Sequence, residues 1–267
     1  MTLDRRSALR TGAGLAAAGA LTAGCSSSGP ASARPPASGT PPASGPAAAS
    51  PSPSRSGGPA PGPRRFPGLP VQIEHGPGSR PQVALTFHGQ GDPAIARTLL
   101  TQAERAGARV TVLAVGTWLD EHPDMARRVL DGGHDLGNHT LHHQDINAMS
   151  EAEARAEITG CADRLRRLTG SIGSWFRPSR AQKASPQVER IARSVGYPHV
   201  LSYDVDSLDF TSPGAATVVR NVTGPARAGS VVSLHFGYAD TVAALPGVLE
   251  ELHRRGLRAV TTTELLT

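Results

Sequence analysis

The chain has 267 residues, 38% of them hydrophobic and 18% charged, and a formal net charge of +5. Seven of its 27 Lys and Arg residues precede position 66 against one of its 22 acids, so 20 bases and 21 acids follow; the basicity belongs to the front end, and the remainder holds no cationic surface for nucleic acid. Cys25 and Cys161 are the only cysteines, which excludes a disulfide framework.

Residues 1 to 24 read as an export signal, with Arg5 and Arg6 ahead of an alanine-rich run from Ala13 to Leu21. A membrane span needs about 20 apolar residues, and this run is too short and too small-sided for one. "DRRSAL" resembles a twin-arginine export signal. "LTAGC" resembles the lipobox of bacterial lipoproteins, although Thr22 stands where leucine is usual and Leu21 comes one step early. That resemblance implies a lipidated Cys25 anchoring the exported chain to the outer face of the cell membrane; the other reading is secretion with Cys25 free. Residues 25–70 are Pro, Ala, Ser and Gly with hardly a large apolar side chain, which predicts a disordered tether, because little burial is available to offset the entropy of ordering. The folded domain is expected over 71–267.

Within that domain β-prone runs alternate with helical patterns. The strands are predicted at "VALTF" (83–87), "RVTVLAV" (109–115), "HDLGN" (134–138), "SWF" (174–176), "HVLSY" (199–203), "SVVSLHF" (230–236) and "LRAV" (257–260). Helices are predicted over 93–106, 123–130, 151–168, 186–194, 215–222 and 242–254, with Ser150 as an N-cap and glycines at 107, 132, 196 and 256 as stops. Seven strand and helix units favour a parallel barrel over an open sheet. Such barrels carry their chemistry at the carboxyl ends of the strands. His88, His139, His143, Arg177, Asp206, Asp209 and His235 all fall there in the sequence.

In "NHTLHH" (138–143) the spacing of His139 and His143 by four predicts two imidazoles on one face of a helical turn, able to share a metal. Cys161 sits in a helical pattern and reads as a small buried side chain. No G-x-S-x-G nucleophile elbow occurs, and "GQGDP" fits neither a phosphate loop nor a dinucleotide fingerprint.

Five blocks in order, "LTFHGQGDP" (85–93), "GNHTLHH" (137–143), "WFRPSR" (175–180), "YDVDSLDF" (203–210) and "VVSLHFG" (231–237), resemble the polysaccharide deacetylases of the NodB-homology family, carbohydrate esterase family 4. The likeness covers roughly residues 80 to 267 and implies a distorted (β/α)7 barrel. It implies that His139 and His143 bind a divalent metal, usually zinc, that His235 protonates the leaving group, that Asp209 tunes His235, and that Arg177 orients the first block. It also places Phe210, in place of a usual tryptophan, with Tyr203 and Leu234 along the substrate groove. Ser179 and Arg180 replace a usual proline and aromatic.

The first block departs from the family. Where the family has two aspartates, a base and a metal ligand, this chain has His88 and Gly89. Either His88 turns onto the metal to complete a three-histidine site, or it keeps the base position while Asp92 or water fills the shell; Asp92 before Pro93 is also a plain N-cap candidate. Arg177 thereby lacks its usual carboxylate, with Asp206 as an alternative partner. The implied activity is metal-dependent hydrolysis of N- or O-acetyl groups on cell-wall or extracellular glycan; the alternative is a noncatalytic glycan-binding or scaffold module on the same fold.

Overall fold

A computed structural model describes residues 59–267. The expected export signal, Cys25 and most of the tether lie outside the described residues. In chain order the elements are β1 (Gln72–Ile73), β2 (Gln82–Gly89), α1 (Pro93–Arg105), β3 (Thr111–Ala114), α2 (Gly116–Glu121), α3 (Asp124–Asp131), β4 (Asp135–Asn138), α4 (Glu151–Thr169), α5 (Pro186–Val195), β5 (Val200–Leu201), β6 (Val205–Asp206), α6 (Ala215–Thr223), β7 (Val231–His235), α7 (Ala239–Arg254), β8 (Arg258–Val260) and α8 (Thr262–Leu266).

The strands pair in parallel in the order β4-β3-β2-β7-β6, with β8 joining β2 and β1 joining β5. Phe176 bridges Asn138 of β4 to Val200 of β5, also in parallel. The strands thus curve from β6 through β7, β2, β3, β4 and Phe176 to β5, the parallel barrel expected from the alternating units, distorted as the family resemblance implies. Its distortion lies where ring members are reduced: "SWF" contributes only the bridge at Phe176, and the run predicted at 199–203 divides into β5 and β6. The division follows from Asp204, whose carboxylate accepts from Val231 N at 2.8 Å and Ser230 Oγ at 3.1 Å and so turns the chain. Helices α2 and α8, of six and five residues, are too short to show a helical period in sequence.

Strand alternation decides which side chains reach the site. On β2, Val83, Leu85 and Phe87 enter the core beneath the helices with Leu99, Leu100 and Val112. The alternate positions Ala84, Thr86 and His88 face the barrel interior. Helix α4 carries the capping box expected at Ser150, paired with Glu153, and stops at Gly170 with φ +78°.

Residues 59–70, which composition assigns to the tether, are packed on the barrel. Ala60 N donates to Thr169 O at 2.9 Å, Ser171 Oγ donates to Pro61 O at 2.9 Å, and Phe66 stacks on Trp175 with centroids 5.6 Å apart. The packed part therefore begins ahead of the boundary expected at 70/71, because Phe66 is the one large aromatic in that stretch and finds an indole to cover. Among the described residues no helix is long and apolar enough to cross a membrane.

Candidate metal centre and catalytic pocket

Three rings converge at the carboxyl ends of β2 and β4. One nitrogen from each of His88, His139 and His143 lies within 4.8 Å of the others. The ring centroids of His88 and His139 are 4.3 Å apart, and those of His139 and His143 are 4.8 Å apart.

The convergence of His139 and His143 is not helical, contrary to what the four-residue spacing predicts. Thr140 and His143 both take positive φ, +68° and +56°, and the segment is an irregular loop. Its backbone is satisfied by side chains instead of a helical ladder: Asn138 Oδ1 accepts from Thr140 N at 2.9 Å, and Thr140 Oγ1 accepts from His143 N at 3.2 Å. Glu157 accepts from Leu141 N at 3.0 Å and His142 N at 2.8 Å, and pairs with His142 Nδ1 at 2.6 Å. His142 is thus turned onto Glu157 and away from the cluster.

His139 is set up as a ligand. Its Nδ1 donates to Arg177 O at 3.1 Å, and its Nε2 is buried with no partner among the described residues. A buried imidazole nitrogen facing an all-nitrogen corner is the arrangement metal-binding histidines adopt, with the outer nitrogen tied to a carbonyl. Burial first, then the neighbouring imidazoles and Arg177, hold His88 well below the usual histidine range. Burial and the charge of His143 do the same for His139. His143 is held down to about 4 by burial and Arg180. All three are therefore neutral near pH 7, and the imidazole donors of His139 and His143 fit a divalent ion of the zinc type.

Arg177 is fully buried and has no carboxylate partner among the described residues. Its Nε donates to Leu201 O at 3.2 Å, its Nη2 to Ser202 O at 2.9 Å and its Nη1 to His88 Nε2 at 3.1 Å. Tyr203 packs against the guanidinium with its ring centroid 5.3 Å from Cζ. Burial lowers Arg177 to about 10, against the opposing charges of Tyr203 and Asp206. The alternative pairing with Asp206 is not formed: Asp206 Oδ1 accepts from Leu208 N at 3.0 Å.

Facing the three histidines is the pair Asp209 and His235. Asp209 Oδ1 accepts from His235 Nδ1 at 2.6 Å, while Oδ2 accepts from His235 N at 2.8 Å and Thr241 Oγ1 at 2.6 Å. Burial alone would raise the Asp209 carboxyl, but the hydrogen bonds and charge of His235 and the bond from Thr241 outweigh it and hold the group below the usual carboxylate range. The ring of His88 meets His235 edge-on at 4.3 Å.

These side chains open onto a cavity of about 260 Å³ bordered by His88, His143, His235, Gln90 and Tyr238. A second cavity of about 420 Å³ shares Gln90 and Gly91 with it and runs past Trp118 and His142. Phe210 is 45% exposed and stands edge-on to His235 at 5.4 Å, forming a wall. Leu234, expected along the groove, is instead buried in the core beneath the helices, because it alternates with His235 on β7 and points the other way. Tyr203 is half-buried beneath Arg177 and does not border the cavity. Asp92 caps α1, accepting from Ala94 N at 2.8 Å, and stays outside the cluster. Cys161 is buried with its thiol pushed up to about 12 by desolvation, an inert core residue.

Sequence reasoning missed Thr241, Tyr238 and Gln90. Gln90 lies within the first block and Tyr238 directly follows the last, so both could have been found by position; Thr241 lies on α7 and carries no local signal.

A family model for polysaccharide deacetylases matches residues 75–200. A peptidoglycan-N-acetylglucosamine deacetylase of Bacillus cereus is 31% identical over 202 residues, covering 71% of this chain and 90% of that relative. Among solved structures, a peptidoglycan N-acetylglucosamine deacetylase superposes with TM-score 0.68 at 26% identity, over 73% of this chain and 92% of the other. A pseudoenzyme of carbohydrate esterase family 4 from Bacillus anthracis superposes with TM-score 0.70 at 22% identity, over 74% and 70%. With the barrel, the paired histidines after β4 and the Asp209–His235 pair already in place, this similarity across nine-tenths of a relative means that the chain belongs to the polysaccharide deacetylase family.

Proposed function

We propose that this protein is a metal-dependent hydrolase that removes acetyl groups from a cell-wall or extracellular glycan, with peptidoglycan N-acetylglucosamine as the first substrate to try. The observation that carries the reading is the buried, partnerless Nε2 of His139 beside His143, opposite an aspartate-anchored His235. The name and the 31% identity of the Bacillus cereus relative support the substrate class.

His139 and His143 would hold a divalent ion, with zinc favoured by an imidazole donor set. Such an ion supplies polarisation of an acyl oxygen and acidification of water. Asp209 fixes His235 through Nδ1 and so leaves Nε2 on the cavity side, where it moves a proton onto the departing nitrogen or oxygen. Thr241 gives Oδ2 of Asp209 a second donor beside His235 N and keeps that carboxylate from rotating. Phe210 and Tyr238 flank His235 and shield the proton transfer from bulk water, and the cavity running past Trp118 gives a polymer room beyond the reacting sugar. Export by the residues before 25, with Cys25 lipidated and residues 26–58 as a spacer, would bring the domain to an immobile outer substrate.

The test is metal content and acetate release by the full chain on peptidoglycan, acetylated chitooligosaccharides and acetylated xylan. Wild type is expected to bind metal and release acetate, and His139→Ala to lose both. His235→Ala should retain metal while its rate falls about 10²- to 10⁴-fold. Metal binding without release on all three substrates would instead support the noncatalytic glycan-binding module.

A further inference from the structure

Distance alone admits His88 as a third metal ligand, since its ring nitrogen lies within 4.8 Å of those of His139 and His143. Hydrogen bonding at the other side of the ring speaks against it. A guanidinium can only donate, so the 3.1 Å contact from Arg177 Nη1 obliges His88 Nε2 to accept. A neutral His88 then carries its proton on Nδ1. The same residue fixes the neighbouring ring through its carbonyl, since Arg177 O accepts from His139 Nδ1. Both rings are therefore the same tautomer, but they are turned in opposite senses. His139 sends its N–H into the protein and its lone pair to the site; His88 sends its lone pair into the protein.

A metal on His88 is incompatible with this contact by either nitrogen. Through Nε2, the ion would take the lone pair that Arg177 uses and sit against a guanidinium. Through Nδ1, the neutral ring would carry its proton on Nε2, N–H against N–H at 3.1 Å. Arg177 cannot retreat cheaply: it is fully buried, and Leu201 O and Ser202 O hold its other nitrogens. Releasing His88 would strand a buried donor of a charged group. The one hydrogen bond the described residues give the His88 ring is that at Nε2, and His88 borders the cavity with His143 and His235.

We infer that Arg177 locks His88 as a hydrogen-bond donor, so that His139 and His143 alone supply the protein ligands and the Nδ1–H of His88 binds an acyl or carboxylate oxygen in the cavity. This rests on the proposed metal pair and assigns His88 neither of the roles its sequence position suggests, ligand or base. It also gives the cavity a preference for anionic oxygen, since donor and unpaired guanidinium lie behind it.

Two affinities of the full chain test the inference: zinc, by competition with a chromophoric chelator, and acetate, measured on the zinc-loaded protein. His139→Ala is expected to weaken zinc by more than about 100-fold, the upper end of what loss of even an outer partner costs, while His88→Ala changes it less than about threefold. Acetate affinity should fall about tenfold in His88→Ala, as for one hydrogen bond to a charged group, and recover in part in His88→Asn, whose amide N–H lies near the Nδ1 position. Zinc lost as severely in His88→Ala as in His139→Ala would overturn the inference and restore a three-histidine site. Acetate binding unaffected in His88→Ala would overturn the donor role. Retention of zinc by His139→Ala strikes at the metal pair of the proposed function, and the inference falls with it.

Discussion

At the scale of single residues, hydrogen-bond direction decides chemistry that residue identity leaves open. His134 shows this away from the site. Its Nδ1 accepts from Val110 N at 3.1 Å and its Nε2 lies 3.2 Å from Glu104 Oε1, so folding requires the neutral ring with its proton on Nε2. Desolvation lowers His134 to about 4, against the pull of Glu104. Between pH 6.5 and 4 the unfolded chain takes up a proton that the folded chain refuses. The stability from this group is therefore complete above pH 6.5, falls as pH drops towards 4, and changes no further below, in all about 3 kcal/mol. Melting temperatures measured from pH 7 to pH 4 should fall less steeply in His134→Asn, whose Oδ1 keeps an acceptor for Val110 N without titrating.

At the scale of elements, the site is assembled by loops that pack on one another after the strands end. Gly91, with φ +107°, follows β2 and lies against Gly237, which follows β7; a Cβ on Gly91 would come 2.7 Å from Gly237 Cα. Trp118 Nε1 of α2 donates to Gly91 O at 2.8 Å and fastens the same turn. Gly91→Ala should both strain the backbone and part the two loops, costing about 1–3 kcal/mol and widening the gap between His88 and His235. Chemical denaturation and catalytic rate check this together, and a stable variant with undiminished rate would show that the loop contact does not position the pair. The 138–143 segment makes the complementary point. Its histidines, threonine and asparagine were legible as a site, but the four-residue spacing suggested a helix because sequence does not reveal that Glu157, on α4, satisfies the loop backbone.

For the molecule as a whole, the barrel floor is closed by chain segments from both ends of the described residues. Phe66 joins Trp175, Leu265 and Leu266 in one buried cluster, while Phe66 N donates to His199 Nε2 at 3.0 Å. Composition hid this, since a single aromatic in a proline-rich stretch carries no period. Phe66→Ala should lower stability by on the order of 3 kcal/mol and leave acetate release at low temperature unaltered, the site being at the opposite ends of the strands. Thermal unfolding of the full chain beside its activity at 10–20 °C measures both.

The alternating architecture and the rim on which the polar residues gather were legible in the chain from its hydrophobic period, which a sequence displays along its length. The blocks holding His139, His143, Asp209 and His235 were legible through their resemblance to the family, which reads residue order and not packing. Only the tertiary structure decided which way the rings face and which rim residues belong to the cavity. Leu234 adjoins His235 yet is buried because a strand alternates its faces, and Asp92 adjoins the first block yet serves a helix end. His88 owes its orientation to Arg177, 89 residues away in sequence. Hydrogen-bond direction and side-chain facing are set by partners from distant strands, and no spacing within a block encodes them.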